Sequence, residues 1–209
     1  MWLNRRDLIF FSLKVLLAWA ALTGLIVFYG EWLLTPLFPL FKAIMISVVS
    51  GFSPTLKFIP AVDGGQLKLT VWVLSTVPIG TGIVMPKGIE LSSSMHVLHG
   101  LVPIAVALSI LLVWPVQSWR HKLLLIALGI LTSVLILLAT VPVLLVALLE
   151  MPFQEKAMQA NALHQAPWFM DWMIFCEMGG ALLLAFIGVC FCIGLQRFVW
   201  RMRASLLIG

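Results

Sequence analysis

The residues best suited to chemistry are an acid and two imidazoles set inside apolar stretches. Glu177 lies five residues into the apolar run 172–195, roughly 8 Å below its outer end at about 1.5 Å per helical residue. An ionisable side chain at that depth is costly, and by default it marks a site. His96 and His99 open a second apolar run, 94–116, and His99 comes to a similar depth. Thr140 reaches the same level from a third run, 123–149.

At helical spacing each run presents one stripe of small or polar residues. One stripe holds Glu177, Gly180, Ala181, Leu184 and Gly188, and a second holds His96, His99, Gly100, Pro103 and Ala107. The third holds Gly129, Thr132, Ser133 and Thr140. Small residues let helices approach closely inside a bilayer, so Gly180, Ala181, Gly188, Gly100 and Gly129 are read as helix-packing positions. The stripes are expected to meet in the bundle interior, with Glu177 paired to a histidine or a threonine.

Three chemistries fit such a cluster. It can be a hydrogen-bonded contact that holds the bundle together, or a pocket open to the outside that accepts a proton or substrate. It can also be a metal site drawn from His96, His99, His164 and Glu177. Two histidines one turn apart fall short of a zinc site, which needs a third ligand and supporting partners. No metal, cofactor or catalytic residue is therefore assigned.

Other catalytic patterns are absent from the sequence. No glycine-rich phosphate loop precedes a helix, and no G-x-S-x-G elbow occurs. The run Ser92, Ser93 and Ser94 reads as a cap for the next helix. Cys176, Cys190 and Cys192 fall in one apolar stretch without metal-ligand spacing, and read as inert packing residues. A membrane cysteine transpeptidase would need an arginine beside Cys176 and His164, whereas the arginines map to the other side of the membrane.

The elements that position these residues follow from composition. The chain has 209 residues, of which 62% are hydrophobic and 10% charged, against about 25% charged in an ordinary soluble domain. Its mean hydropathy is +1.12. A soluble surface cannot be built from so few polar residues, so the fold class is mainly α and integral to the membrane. Stretches 8–29, 94–116, 123–149 and 172–195 are each long enough to cross a hydrocarbon core, which takes about 20 apolar residues. These are the four expected transmembrane helices, with a small extracytoplasmic β element between the first and second.

Basic residues set the orientation. With four crossings, all six arginines fall on the side of the termini and of loop 117–122. The positive-inside rule then places both termini in the cytoplasm of a bacterial inner membrane. Arg5, Arg6, Arg120, Lys122, Arg197, Arg201 and Arg203 are assigned to lipid headgroups. The net charge of +5 lies beside apolar spans, so the bilayer is the expected partner and nucleic acid is not. Trp32, Trp114, Trp119, Trp168, Trp172 and Trp200 fall near span ends, where amphipathic rings favour the interface.

The expected domains are 1–30, a cytoplasmic end and uncleaved signal-anchor span; 31–93, an extracytoplasmic lobe; and 94–209, a three-helix bundle. The bundle carries an outer loop, 150–170, and a basic tail. Residues 31–50 are apolar but interrupted by Pro36 and Pro39, and read as a helix lying on the outer interface or continuing the first span outward. TLKFIP and QLKLTVWVL flank Asp63-Gly64-Gly65 as strand, turn and strand. Residues 77–91 read as turns and short extended pieces, and EKAMQANALH as a short surface helix. So small a β element cannot own a core and must lean on the helices or a partner.

The prolines of LLTPLFPLF, the segment QLKLTVWVLSTVPIGTGIVM and the span HVLHGLVPIAVALSILLVWP come in that order after the anchor. This layout resembles the exosortase-H-associated small membrane proteins of proteobacteria, over about residues 8–150. The resemblance implies an accessory role beside a protein-sorting enzyme and carries over no catalytic residues. The expected function is that of a non-enzymatic accessory subunit of a multi-protein inner-membrane complex for protein sorting, secretion, pilus or envelope assembly. Two alternatives stand beside it: a small transporter or membrane enzyme with an outward pocket around Glu177, and a haem- or pigment-associated subunit held through His96 or His99.

Overall fold

The structure is a computed structural model that describes residues 5–49, 52–60, 65–74, 76–80, 83–116, 118–159 and 165–206. It begins with a long apolar rod. Helix α1, Arg5–Leu34, passes through a 3₁₀ turn, Thr35–Leu37, into α2, Phe38–Val48. Pro36 and Pro39 explain the tight turn. Pro39 has no N–H to offer the carbonyl of Thr35, and the backbone N–H of Phe38 bonds that carbonyl instead. The backbone stays right-handed throughout, so residues 31–48 continue the path of the first helix, one of the two readings the sequence offers. Phe41 and Met45 of α2 are buried.

Two strands come next. Strands β1, Phe52–Ile59, and β2, Gln66–Val73, pair antiparallel from Phe52 opposite Val73 to Ile59 opposite Gln66, as the alternation predicts. A second hairpin, β3 (Val77–Gly80) with β4 (Ile83–Met85), accounts for part of the glycine- and proline-rich stretch. The expectation fails at the serines. Residues Glu90–His96 form β5, which pairs antiparallel with β2 and completes the sheet order β1-β2-β5. Ser92 and Ser94 therefore line one sheet face and cap nothing, while Ser93 turns inward and donates to the carbonyl of Leu145 at 2.9 Å. The cap of the next helix is His96, whose Nδ1 accepts the N–H of Leu98 at 3.2 Å.

Helix α3 runs Val97–Val113, 17 residues, starting three residues later than the sequence predicts. Helix α4, Trp119–Gln159, has 41 residues and absorbs the first half of the segment expected to form a separate surface helix, whose second half lies outside the described residues. Helix α5, Trp168–Phe175, leads through a π turn, Cys176–Gly180, into α6, Ala181–Leu206. Among the described residues three helices are long and apolar enough to cross a membrane, over 6–48, 119–155 and 168–200; α3 is apolar but shorter.

The first rod is 43 residues long and the second 37, about 65 and 55 Å at 1.5 Å per residue. Both exceed the roughly 30 Å of a hydrocarbon core, so each is longer than a crossing requires. The sheet packs against the helices, its inner-face Leu67, Leu69 and Val71 joining Phe41, Met45, Leu101 and Leu145 in one buried cluster. A second cluster, around Leu111, Leu125, Ala185, Val189 and Cys192, holds α3, α4 and α6 together at the other end.

Candidate functional site

Glu177 and His99 meet. The Nε2–H of His99 donates to Oε1 of Glu177 at 3.0 Å. The two side chains come from different elements, the first turn of α3 and the π turn before α6. They are 48% and 52% exposed, so the pair lies on the rim of the bundle and not in its interior, where the stripes were expected to bring it.

The physical reason is the π turn. Gly179 has φ of +100° and ψ of 3°, a conformation open to glycine and strained for other residues. That irregular turn rotates α5 against α6. The inward face of α6 consequently runs through Ala185, Gly188, Val189, Cys192 and Gln196, all buried, and no longer includes Glu177. Gly180 likewise serves its own segment. A Cβ there would come within 2.4 Å of the Phe175 ring, five residues back.

The other small residues make close approaches between helices. A Cβ on Gly188 would meet Thr132 Cγ2 at 2.7 Å, one on Gly100 would meet Val141 Cγ2 at 2.9 Å, and one on Gly129 would meet Leu111 Cδ1 at 2.6 Å. Beside Gly188, the Thr132 hydroxyl lies 3.3 Å from the Cys192 sulfur. Thr140 does not join the cluster. It is buried, and its hydroxyl donates to the carbonyl of Ile136 one turn back at 2.8 Å.

Around the His99–Glu177 contact runs an open groove of about 470 Å³, lined by His96, Val102, Cys176, Gly179, Ala181 and Leu182 among others. Cys176, read from sequence as packing, is buried beside it, whereas Cys190 is exposed on α6. Cys176 has a carboxylate for a sequence neighbour, the opposite of the electropositive setting that sustains a reactive thiolate. The remaining nitrogen of His99 and the second carboxylate oxygen leave the pair able to hydrogen-bond a further group. Among the described residues no three of His, Cys, Asp or Glu come together as a metal-ligand set; His164 lies outside them.

One basic residue has a different task from the one expected. The Lys122 ammonium donates to the carbonyls of Leu111 at 3.3 Å, Trp114 at 3.0 Å and Leu112. It thereby caps the C-terminus of α3, whose last carbonyls have no helical donor, and is not free for lipid. Arg6, Arg120 and Arg197 are exposed, while the side chains of Arg5, Arg201 and Arg203 lie outside the described residues. No protein-family model, curated protein or solved structure matches this chain.

Proposed function

We propose that the chain is a non-catalytic accessory subunit of a multi-protein inner-membrane complex, and that the His99–Glu177 groove receives a helix of a neighbouring subunit. The observation that carries this reading is the half-exposure of a hydrogen-bonded imidazole and carboxylate on the flank of otherwise apolar helices. Facing lipid, such groups are costly. Facing a polar or small-residue stripe on another helix, they become an interhelical contact. The long unpartnered face of the first rod supports the same reading, with Trp32 and Phe28 exposed at 80% and 82%.

In this proposal the chain crosses the membrane four times, α3 being the shortest crossing, with cytoplasmic termini and the sheet on the outer side. The resemblance to exosortase-H-associated proteins makes a protein-sorting membrane enzyme the partner to look for first. Affinity purification of the full chain in mild detergent tests this. A stoichiometric membrane partner is expected, lost when His99→Ala and Glu177→Gln are combined; recovery of a lone, monodisperse chain overturns it.

A second reading rests on the groove's size. At about 470 Å³ it falls among ligand sites of roughly 300–1,000 Å³, as a small transporter or membrane enzyme would require. Under that reading Glu177→Gln abolishes activity in intact cells without releasing any partner.

A further inference from the structure

The opposite end of the bundle holds a second cavity, of about 400 Å³, between the end of α3, the start of α4 and α6. Its lining combines Trp114, Pro115 and Val116 with His121, Gln196, Arg197 and Trp200. Its polar lining includes one largely buried side chain and one buried ring nitrogen without a hydrogen-bond partner. Gln196 is 6% exposed. The Nε2 of His121 is buried and unpaired. The imidazole stands edge-on to the Trp200 ring, with centroids 3.8 Å apart.

Buried polar groups are nearly always satisfied, and each exception calls for an explanation. Here the exception belongs to a residue of the cavity wall, and the exposed Arg197 lines the same cavity. The first turn of α4 contributes to the same wall, bringing the positive end of a helix dipole and containing no acid. Lys122, though adjacent in sequence, is occupied by the carbonyls of α3. The donors left over are an amide, an imidazole N–H and a guanidinium, which together suit a singly charged oxyanion held by several hydrogen bonds.

We infer that this cavity binds the phosphodiester of an anionic phospholipid, with Arg197 pairing to the phosphate and His121 and Gln196 donating to its oxygens. A lipid source is favoured over a free anion by the surroundings. Leu123 and Phe198, exposed at 50% and 56%, lie next to the site on α4 and α6 and continue the apolar surface on which acyl chains rest. Trp114, Pro115 and Val116 offer the glycerol region an apolar wall. A headgroup that carries its own cation, such as phosphocholine, would compete with Arg197 for the phosphate. The site therefore selects a phosphatidylglycerol-like lipid.

Which leaflet supplies the lipid rests on the cytoplasmic placement of the termini proposed above, but binding itself does not. The test accordingly uses nanodiscs whose two leaflets are alike. The full chain is reconstituted in equal phosphatidylglycerol and phosphatidylcholine, and retained lipid is counted by native mass spectrometry. Phosphatidylglycerol is expected in excess by about tenfold, the scale of one strong charge-assisted contact. Combining Arg197→Gln with His121→Phe removes the excess, and Lys57→Gln, exposed on β1 and outside the cavity, leaves it.

Gln196→Leu separates binding from folding. Replacing the largely buried Gln196 amide with an apolar side chain of similar size leaves the melting temperature in phosphatidylcholine alone no lower, while the phosphatidylglycerol excess falls. Equal retention of the two lipids by the native chain overturns the inference, as does an excess that survives all three cavity substitutions. Displacement of the lipid by millimolar inorganic phosphate overturns the lipid assignment in favour of a free anion.

Discussion

The Nε2 of His99 stands 3.0 Å from Oε1 of Glu177, joining the first turn of α3 to the π turn that precedes α6. Residues 78 positions apart in the chain are brought together because α3 starts under the sheet just where the helical path from α5 to α6 is interrupted. The contact remains a hydrogen bond with a neutral imidazole and becomes an ion pair when the ring is protonated. Its half-exposure decides what it can contribute.

A double-mutant cycle on His99→Ala and Glu177→Gln, read by thermal unfolding in detergent, is expected to give a coupling of about 0–1 kcal/mol, the range of exposed ion pairs. A coupling above about 3 kcal/mol, the scale of a broken buried pair, would make the contact part of the protein's own core. The groove would then have no interfacial role. The same variants should lower partner recovery far more than they lower the melting temperature.

Gly179 sets the orientation of that pair. Its Cβ would meet nothing within 4 Å, yet its φ is +100°, so Gly179→Ala is disfavoured by backbone strain alone, at about 1–3 kcal/mol. Gly24 also has open space around it, but lies in a regular helix. Gly24→Ala is therefore expected to stabilise by roughly 0.5–1 kcal/mol. Opposite signs in the two melting temperatures confirm the account; a loss in both or neither removes the conformational argument.

Much of this arrangement was legible in the sequence, and the failures have a common cause. The apolar runs and the β1–β2 hairpin follow from local pattern, whereas depth alone left Glu177 a choice between a histidine and a threonine and placed the contact in the interior. Periodicity, however, assumes one unbroken helix. Once the π turn intervenes, residues on its two sides no longer share a face, so the stripe from Glu177 to Gly188 does not exist in the fold. Ser92–Ser94 misled for a related reason. Three small hydroxyls before an apolar run resemble a cap, and only pairing with β2 reveals them as strand. Lys122 looked like a headgroup ligand because sequence cannot show that the preceding helix ends within its reach.

Lys122→Met tests that last point. It leaves the partly exposed carbonyls of Leu111, Leu112 and Trp114 without their donor, at a cost of about 1 kcal/mol, the net contribution of a typical hydrogen bond. Arg120→Gln, at a neighbouring exposed position, should stay within about 0.5 kcal/mol of the native chain. Equal effects from the two would mean that Lys122 is only another interfacial cation.

Ser93 offers the sharpest contrast, because its two neighbours are chemically identical and face the other way. Its hydroxyl donates to the carbonyl of Leu145 at 2.9 Å, in the part of α4 where residues 141–147 are all buried. Ser92 and Ser94 are exposed on the outer face of the sheet. Ser93→Ala should therefore cost about 1 kcal/mol, and amide exchange should accelerate along β5 as that strand loosens from α4. Ser92→Ala and Ser94→Ala should each fall within about 0.5 kcal/mol of no effect. If these serines capped α3 instead, protection would be lost in its first turn and not along β5. The exchange pattern thus reports which of two structures the serine run belongs to, and hence whether the sheet is tied to the rod that carries it.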